Sequence, residues 1–439
     1  MKERHHWTLD EIVMVLIFFV IPFDRAVKIV TIGDTVYITA TKILILVAIS
    51  AWFIRCLLSK EVGLATLFFE KLTNIMMVAF LLVSFISVIQ ARSYGEFTKE
   101  MIQRVSLITF ALLIIGVIKS RRVLMFAVSA MIIGSVFASL AGVYELITQK
   151  AILEVEVSGR TELMRTPEGG FRIQGFSGDA DNHVSNMVMF FGLALGLFFF
   201  AKTKKIKAAL LIVLMLLLVN IVGSASRGGM LAFLACIAVF FVYFRSRWKP
   251  LIAGAAFLVA IAVYCLMSLM SSVATIERFS EKSLGGPSIK FRMQQAQIAL
   301  TMASDHPIMG LGTGGYLEEL HRYRHRANAT KYVPSEPVEL HLTYLGILAE
   351  NGIIGLAVFA TLIFSVVWNL HSTSRGSRDD FFHLMGAGNL ASFIGFLVIL
   401  LFLPSFPNEI GWMLMALSVI LATIRFENSP SETPLYEVS

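Results

Sequence analysis

The chain has 439 residues, 56% of them hydrophobic and only 15% charged, with a mean hydropathy of +0.76. A water-soluble domain of this length does not reach that balance, so soluble enzymes and binding modules are excluded and the class is an all-α polytopic membrane protein. The net charge of +7 and pI of about 9.3 are accounted for by lysine and arginine in cytoplasmic loops, and no nucleic-acid partner is expected.

A helix needs about 20 mostly apolar residues to cross the hydrocarbon core. In chain order the candidate spans run 10–23, 36–58, 72–91, 103–118, 123–146, 184–201, 207–224, 227–244, 250–272, 340–370, 381–403 and 409–424, about twelve in all. The first reads as a retained span. Met1 to His6 is basic, but the apolar run behind it meets Pro22 and offers no small-residue cleavage site. Cys56, Cys236 and Cys265 lie in or beside apolar runs, at spacings that make neither a metal motif nor a disulfide framework. If the spans alternate, the short basic clusters around Lys2, Arg55, Arg121, Lys204, Arg247, Arg375 and Arg425 all fall on one side, which the positive-inside rule makes cytoplasmic. Both termini are then cytoplasmic. The expected organisation is residues 1–146 as spans 1–5, an outer loop 147–183, spans 6–9 over 184–272, a large helical outer region 273–339, spans 10–12 over 340–426, and a polar tail 427–439.

The two outer segments are themselves basic. They carry Arg160, Arg165, Arg172, Arg278, Lys282, Lys290, Arg292, Arg322, Arg324, Arg326 and Lys331. Long loops translocate despite such charge. Arginines gathered there point to an anionic ligand, because a guanidinium grips phosphate in a fork and stays protonated. For any one of them, a solvated loop charge is the plainer reading.

Four polar signatures stand at the outer ends of spans. The first runs from Arg172 to His183, where Asp181 or Asn182 is expected to cap the next helix and its free N–H groups to face an anion. The second, Gly223 to Gly229, is a tight turn holding Arg227, which either shapes an anion site or snorkels to a lipid phosphate. The third, Ser288 to Leu300, is a helix with a basic start at Lys290 and Arg292. It leads into a Pro/Gly turn, Asp305 to Gly314, which lacks the lysine and the strand–helix setting of a nucleotide loop. The fourth, Pro337 to Gly352, carries His341 at the start of an apolar run. His341 and Tyr344 are expected to share a helical face, whereas Glu350 is about half a turn out of phase and is expected to serve helix geometry near Gly352. As one helix, 340–370 would be roughly 46 Å long against a core of about 30 Å, so it either tilts or begins its span near Gly352. No clustered outer carboxylates suggest a divalent cation.

Arg172-x-x-Gly175 with its downstream Asp/Asn, Ser226-Arg227-Gly228, the His306-Pro307-x-x-Gly310-x-Gly312-x-Gly314 turn, and His341-x-x-Tyr344-Leu345 followed by Glu350-Asn351-Gly352 resemble the O-antigen ligase / O-antigen polymerase superfamily. Leu342 and Ala180 stand where that family often has Asn and Pro. The resemblance implies a glycosyl transfer without metal or cofactor at the periplasmic face of the bacterial inner membrane. The implied donor is a glycan on undecaprenyl diphosphate and the implied acceptor a hydroxyl of lipid A–core, both among membrane lipids. It also implies that Arg172 and Arg292 bind the diphosphate and that His341 activates the acceptor hydroxyl. Arg227 then supports the pocket, and Lys290 and Tyr344 are further substrate contacts. A polymerase, or a ligase acting on protein hydroxyls, shares this donor chemistry. A transporter would instead place charges deep in its spans and broken helices in matching halves.

Overall fold

The computed structural model describes residues 7–26, 28–32, 36–59, 71–152, 156–157, 160–161, 172–245, 287–334, 338–403 and 408–427. The expected span 250–272, most of the tail and the basic residues Arg165, Arg278 and Lys282 lie outside the described residues. The described residues form thirteen α-helices: α1 (Leu9–Val20), α2 (Ala40–Ser59), α3 (Leu72–Ile86), α4 (Tyr94–Val117), α5 (Arg121–Thr148), α6 (Ala180–Phe200), α7 (Lys204–Gly223), α8 (Arg227–Tyr243), α9 (Pro287–Asp305), α10 (Gly315–Arg326), α11 (Thr343–Gly376), α12 (Asp380–Ile399) and α13 (Glu409–Glu427). Two short antiparallel pairs interrupt them, β1 (Lys28–Ile32) with β2 (Val36–Thr39) and β3 (Glu156–Val157) with β4 (Arg160–Thr161).

Among the described residues, nine helices are long and apolar enough to cross a membrane, and α8 is a shorter apolar helix. The protein is therefore a multi-pass membrane protein. Two expected spans differ in form. The first is a 12-residue helix, about 18 Å long and too short to cross alone. It ends in a 3₁₀ turn at Ile21–Ala26, which contains Pro22. The second starts four residues late because Val36–Thr39 pairs as β2. Buried Asp10 of α1 is held by Arg55 of α2 at 3.0 Å, which gives the charge a partner inside the bundle.

Helix α12 is the centre of the packing and contacts α6, α8, α11 and α13. Small residues allow its close crossing with α6. A Cβ on Gly192 would lie 2.4 Å from Ser392 Oγ, and one on Gly388 would lie 2.7 Å from the Gly192 carbonyl oxygen. Ser392 Oγ donates to Met189 O at 2.6 Å across the same contact. Packing of this kind substitutes for the hydrophobic drive that is missing between helices in lipid.

Helix α11 is broken at Gly352 (φ 63, ψ −165), a region of backbone space open to glycine alone. The segment after the break is about 36 Å long, enough to cross the hydrocarbon core by itself, so the run 340–370 is not one continuous helix. The break frees backbone groups that must find partners. The Pro/Gly turn supplies them: Leu311 N donates to Ala349 O and Gly312 N to Glu350 O, both at 2.9 Å, and Ile353 N donates to Pro307 O at 2.9 Å. A buried polar group secures the joint. Arg104 of α4 donates to Glu350 Oε2 (2.9 Å), Asn351 Oδ1 (2.9 Å) and Ser84 Oγ (2.7 Å), and Asn351 Nδ2 donates to Thr313 Oγ1 (3.0 Å). The glycine pattern that looks like a phosphate loop is thus a plug for a helix break.

Candidate active site

Three segments far apart in sequence converge next to Asp181. The first is the stretch 172–179 leading into α6. Glu145, fully buried near the end of α5, fixes it. Glu145 Oε2 accepts the N–H groups of Gln174 (3.0 Å) and Gly175 (2.7 Å), while Oε1 accepts that of Ile152 (3.0 Å). A carboxylate with three backbone donors is a strong clamp, and here it joins both sides of the segment between α5 and α6. Ile173 N also donates to Gly223 O at 3.1 Å. Arg172 is thereby presented with its Nε on Ser224 O (2.8 Å) and one terminal nitrogen on Asp181 Oδ1 (2.7 Å). The two side chains are 11% and 18% exposed, so this pair is shielded and not a surface contact.

The helix cap differs from expectation. Asp179, not Asp181 or Asn182, caps α6, accepting Asn182 N at 2.7 Å, and the helix begins at Ala180. The side chain at position 181 is released from capping and turns to Arg172. Burial, and then the Asp181 charge, raises the Asp179 carboxyl above its ordinary value.

The second segment is the turn between α7 and α8. Ser226 caps α8 by accepting Gly229 N at 3.2 Å, and its hydroxyl also bonds Asp181. Arg227 is the first residue of α8, half-buried, and acts on Arg292.

The third is α9 with the strand-like stretch before α11. Gln295 is fully buried and brackets Leu340, donating to Glu339 O (2.8 Å) and accepting His341 N (3.1 Å). The Phe291 ring stands edge-on to the His341 ring, with centroids 5.8 Å apart. Residues 291, 292 and 295 share one helical side, so the face that holds His341 also carries Arg292. Among the described residues Arg292 has no hydrogen-bonded partner. It is held below its ordinary value by burial and by Arg227 and Arg172, with Asp181 opposing. Burial pushes the His341 imidazole below its ordinary value; Arg292 pushes it further and Asp181 pulls it back. His341 Nδ1 is buried without a hydrogen-bond partner. An unpaired buried nitrogen is costly unless something from outside the chain completes it.

Arg172 and Arg227 thus act on Arg292, and Arg292 acts on His341, while Lys290 and Tyr344 stand apart. Lys290 is exposed and lies over the Tyr332 ring (5.7 Å), about 200° around α9 from Arg292. Tyr344 spends its hydroxyl on Leu397 O at 2.9 Å. It does not share a helical face with His341, because α11 begins only at Thr343. Thr343 N and Oγ1 bond Leu400 O (3.1 Å) and Leu403 O (2.8 Å), which keeps the chain extended up to that point. Arg322 and Arg326 pair with Glu319 and Asp305, and Arg324 bonds the carbonyls of Val333 and Thr330, so these three brace α10. Glu145 and Gln295 are neighbours of the site that the sequence does not single out, and Asp181, expected as a helix cap, pairs with Arg172 instead. For Glu145 there was a signal, an acidic residue closing an apolar run. Gln295 carried none.

Among the described residues no group of three or more His, Cys, Asp or Glu is placed to hold a metal ion. An apolar cavity of about 500 Å³ between α5, α6 and α7 lies at the Phe200 end of α6, roughly 30 Å from Asp181. It is not part of this site.

No curated protein matches the chain. Residues 212–360 match the family model described as O-antigen ligase. That stretch holds Arg227, Arg292 and His341, while Arg172, Asp181 and Glu145 precede it. Over residues 212–360 the chain is similar to the O-antigen ligase family.

Proposed function

We propose that the protein is an O-antigen ligase, which moves a glycan from undecaprenyl diphosphate to a hydroxyl of lipid A–core at the periplasmic face of the inner membrane. The observation that carries this reading is the shielded Arg172–Asp181 pair together with Arg292, which shares a helical face with Phe291 against the His341 ring and feels the charges of Arg172, Arg227 and Asp181. Arg172 and Arg292 bind the diphosphate, and Arg227 adds positive charge beside them. His341 takes the acceptor proton as the new C–O bond forms at the anomeric carbon. The old C–O bond breaks, and undecaprenyl diphosphate leaves with the electron pair. In-line displacement of this kind inverts the anomeric centre. Fixed guanidiniums neutralise the charge that grows on the leaving oxygen, so this step asks for little acid catalysis. A sugar hydroxyl ionises far above neutrality, so a positioned base helps. A histidine held neutral by burial and a neighbouring cation suits that role.

Deletion of the gene and complementation with wild type, His341→Ala, Arg172→Ala or Arg292→Ala tests the reading on lipopolysaccharide gels. A ligase leaves bare core and polymer stranded on its carrier, and the three variants fail to restore it. Core bearing a single repeat unit would identify a polymerase using the same donor. Unchanged lipopolysaccharide in the deletion strain would sink both.

A further inference from the structure

We propose that the cavity between α5, α6 and α7 is a binding site for an anionic phospholipid, with one acyl chain in the cavity and the phosphate on the lysines at its mouth. The site lies at the end of α6 remote from Asp181 and does not depend on the transfer reading.

The cavity holds about 500 Å³, inside the range of roughly 300–1,000 Å³ that small-molecule sites occupy. It is left open because small side chains stand along the seam: Ser129 on α5, Ala201 at the end of α6 and Ala209 on α7. The walls around them are apolar, among them Ile132, Leu197, Leu210 and Val213. Water does not settle in a cavity of that kind, so the space suits hydrocarbon. On α5 the lining runs from Met125 to Val136, about 17 Å along the axis. That is roughly half of the 30 Å hydrocarbon core, the depth of one leaflet. A single acyl chain lying along the helices has this length.

The mouth is basic. Lys202 and Thr203 line it, and Lys204 and Lys205 follow in the first turn of α7, with all three lysines exposed. No acidic residue occurs in the sequence between Asp181 and Glu277, and among the described residues none of the three lysines has a carboxylate partner. Arg121 differs. It stands over the Phe200 ring of the cavity wall (5.8 Å) but is paired with Asp379 at 2.7 Å. The unpaired N–H groups and the dipole at the start of α7 add to the positive field. A basic turn of this kind at the cytoplasmic face meets the leaflet that carries anionic lipid. The carrier lipid fits less well. Its diphosphate belongs with the arginines at the other end of α6, roughly 30 Å away, and leaves no phosphate for these lysines.

The test is native mass spectrometry of the full-length protein released from detergent micelles. Dioleoylphosphatidylglycerol, dioleoylphosphatidylethanolamine and undecaprenyl phosphate are the probes. Lys202→Gln with Lys205→Gln removes charge at the mouth. Ser129→Leu and Ala209→Phe each fill the cavity, so that a folding failure in one does not end the test. Lys99→Gln with Lys150→Gln removes the same charge away from the cavity. Wild type is expected to retain phosphatidylglycerol in preference to phosphatidylethanolamine. The mouth variant and the filled variants should each lower phosphatidylglycerol occupancy by about fivefold or more, with the control pair unchanged. Equal retention of the two phospholipids, or phosphatidylglycerol occupancy that ignores both kinds of variant, would overturn the proposal. Filled variants that lose undecaprenyl phosphate and keep phosphatidylglycerol would give the cavity to a polyprenyl chain and overturn it too.

Discussion

Gly352→Ala offers the sharpest test of the broken helix and its plug. The residue sits at φ 63, ψ −165, and forcing alanine there costs about 1–3 kcal/mol. Sterics then add to this. The new Cβ would lie 2.2 Å from Ile308 O and 2.6 Å from Met309 N, which are backbone atoms that cannot swing aside. The Pro/Gly turn has to back away, and the bonds nearest the clash, Ile353 N to Pro307 O (2.9 Å) and Ile354 N to Ile308 O (3.4 Å), go first. At about 1 kcal/mol each, the total is about 3–5 kcal/mol, a large share of ordinary domain stability. Gly346→Ala in the same helix is the control. Its Cβ would meet nothing nearer than Leu340 Cδ2 at 3.4 Å, and its φ is helical, so it should be neutral or slightly stabilising. Thermal aggregation of purified protein in detergent reads both variants. A Gly352→Ala protein that melts with wild type and retains full transfer would refute the reasoning.

Arg104→Ala strands the Glu350 carboxylate, whose partner is only 5% exposed, and should cost about 3–5 kcal/mol. The double variant Arg104→Met, Glu350→Gln should cost less than Arg104→Ala alone, read by the same melting assay. Glu145→Ala leaves three backbone N–H groups without their acceptor, at about 1–3 kcal/mol for each one that stays buried. Membrane abundance should drop, and whatever protein remains should bind donor weakly. His341 is held below its ordinary 6.5, first by burial and then by Arg292. A base that works when neutral then stays active to lower pH, so the acid limb of kcat/KM should fall below 6.5. Arg292→Gln removes a cation and should move that limb upward. A chelator in the transfer assay should leave the rate unchanged, because the arginines supply the charge that a metal would otherwise bring.

The membrane helices were largely legible, because long apolar runs with basic loops follow from the cost of putting polar backbone and charge in lipid. Where local hydrogen bonding competes, the reading slipped. The run expected to cross from residue 36 starts with four residues in a strand pair, and the cap of α6 falls on Asp179 in place of its neighbours. Arg172, Arg227, Arg292 and His341 were legible as residue types at the ends of spans. That they serve one site was implied by the resemblance, but the contacts that hold the segments were not legible, because Glu145 to Gly175 and Gln295 to His341 join residues 30 and 46 positions apart. Tyr344 was misplaced for a related reason. Helical periodicity was extended one turn too far, across a stretch that Thr343 pins to the end of α12.

The most direct measurement is turnover by purified His341→Ala with a lipid-diphosphate glycan donor and lipid A–core, alongside binding of undecaprenyl diphosphate to the same preparation. Removal of a positioned base should slow transfer by roughly 10²–10⁴-fold while carrier binding stays near wild type, because the arginines that hold the phosphates are untouched. Transfer within a few-fold of wild type, at unchanged carrier binding, would contradict the account.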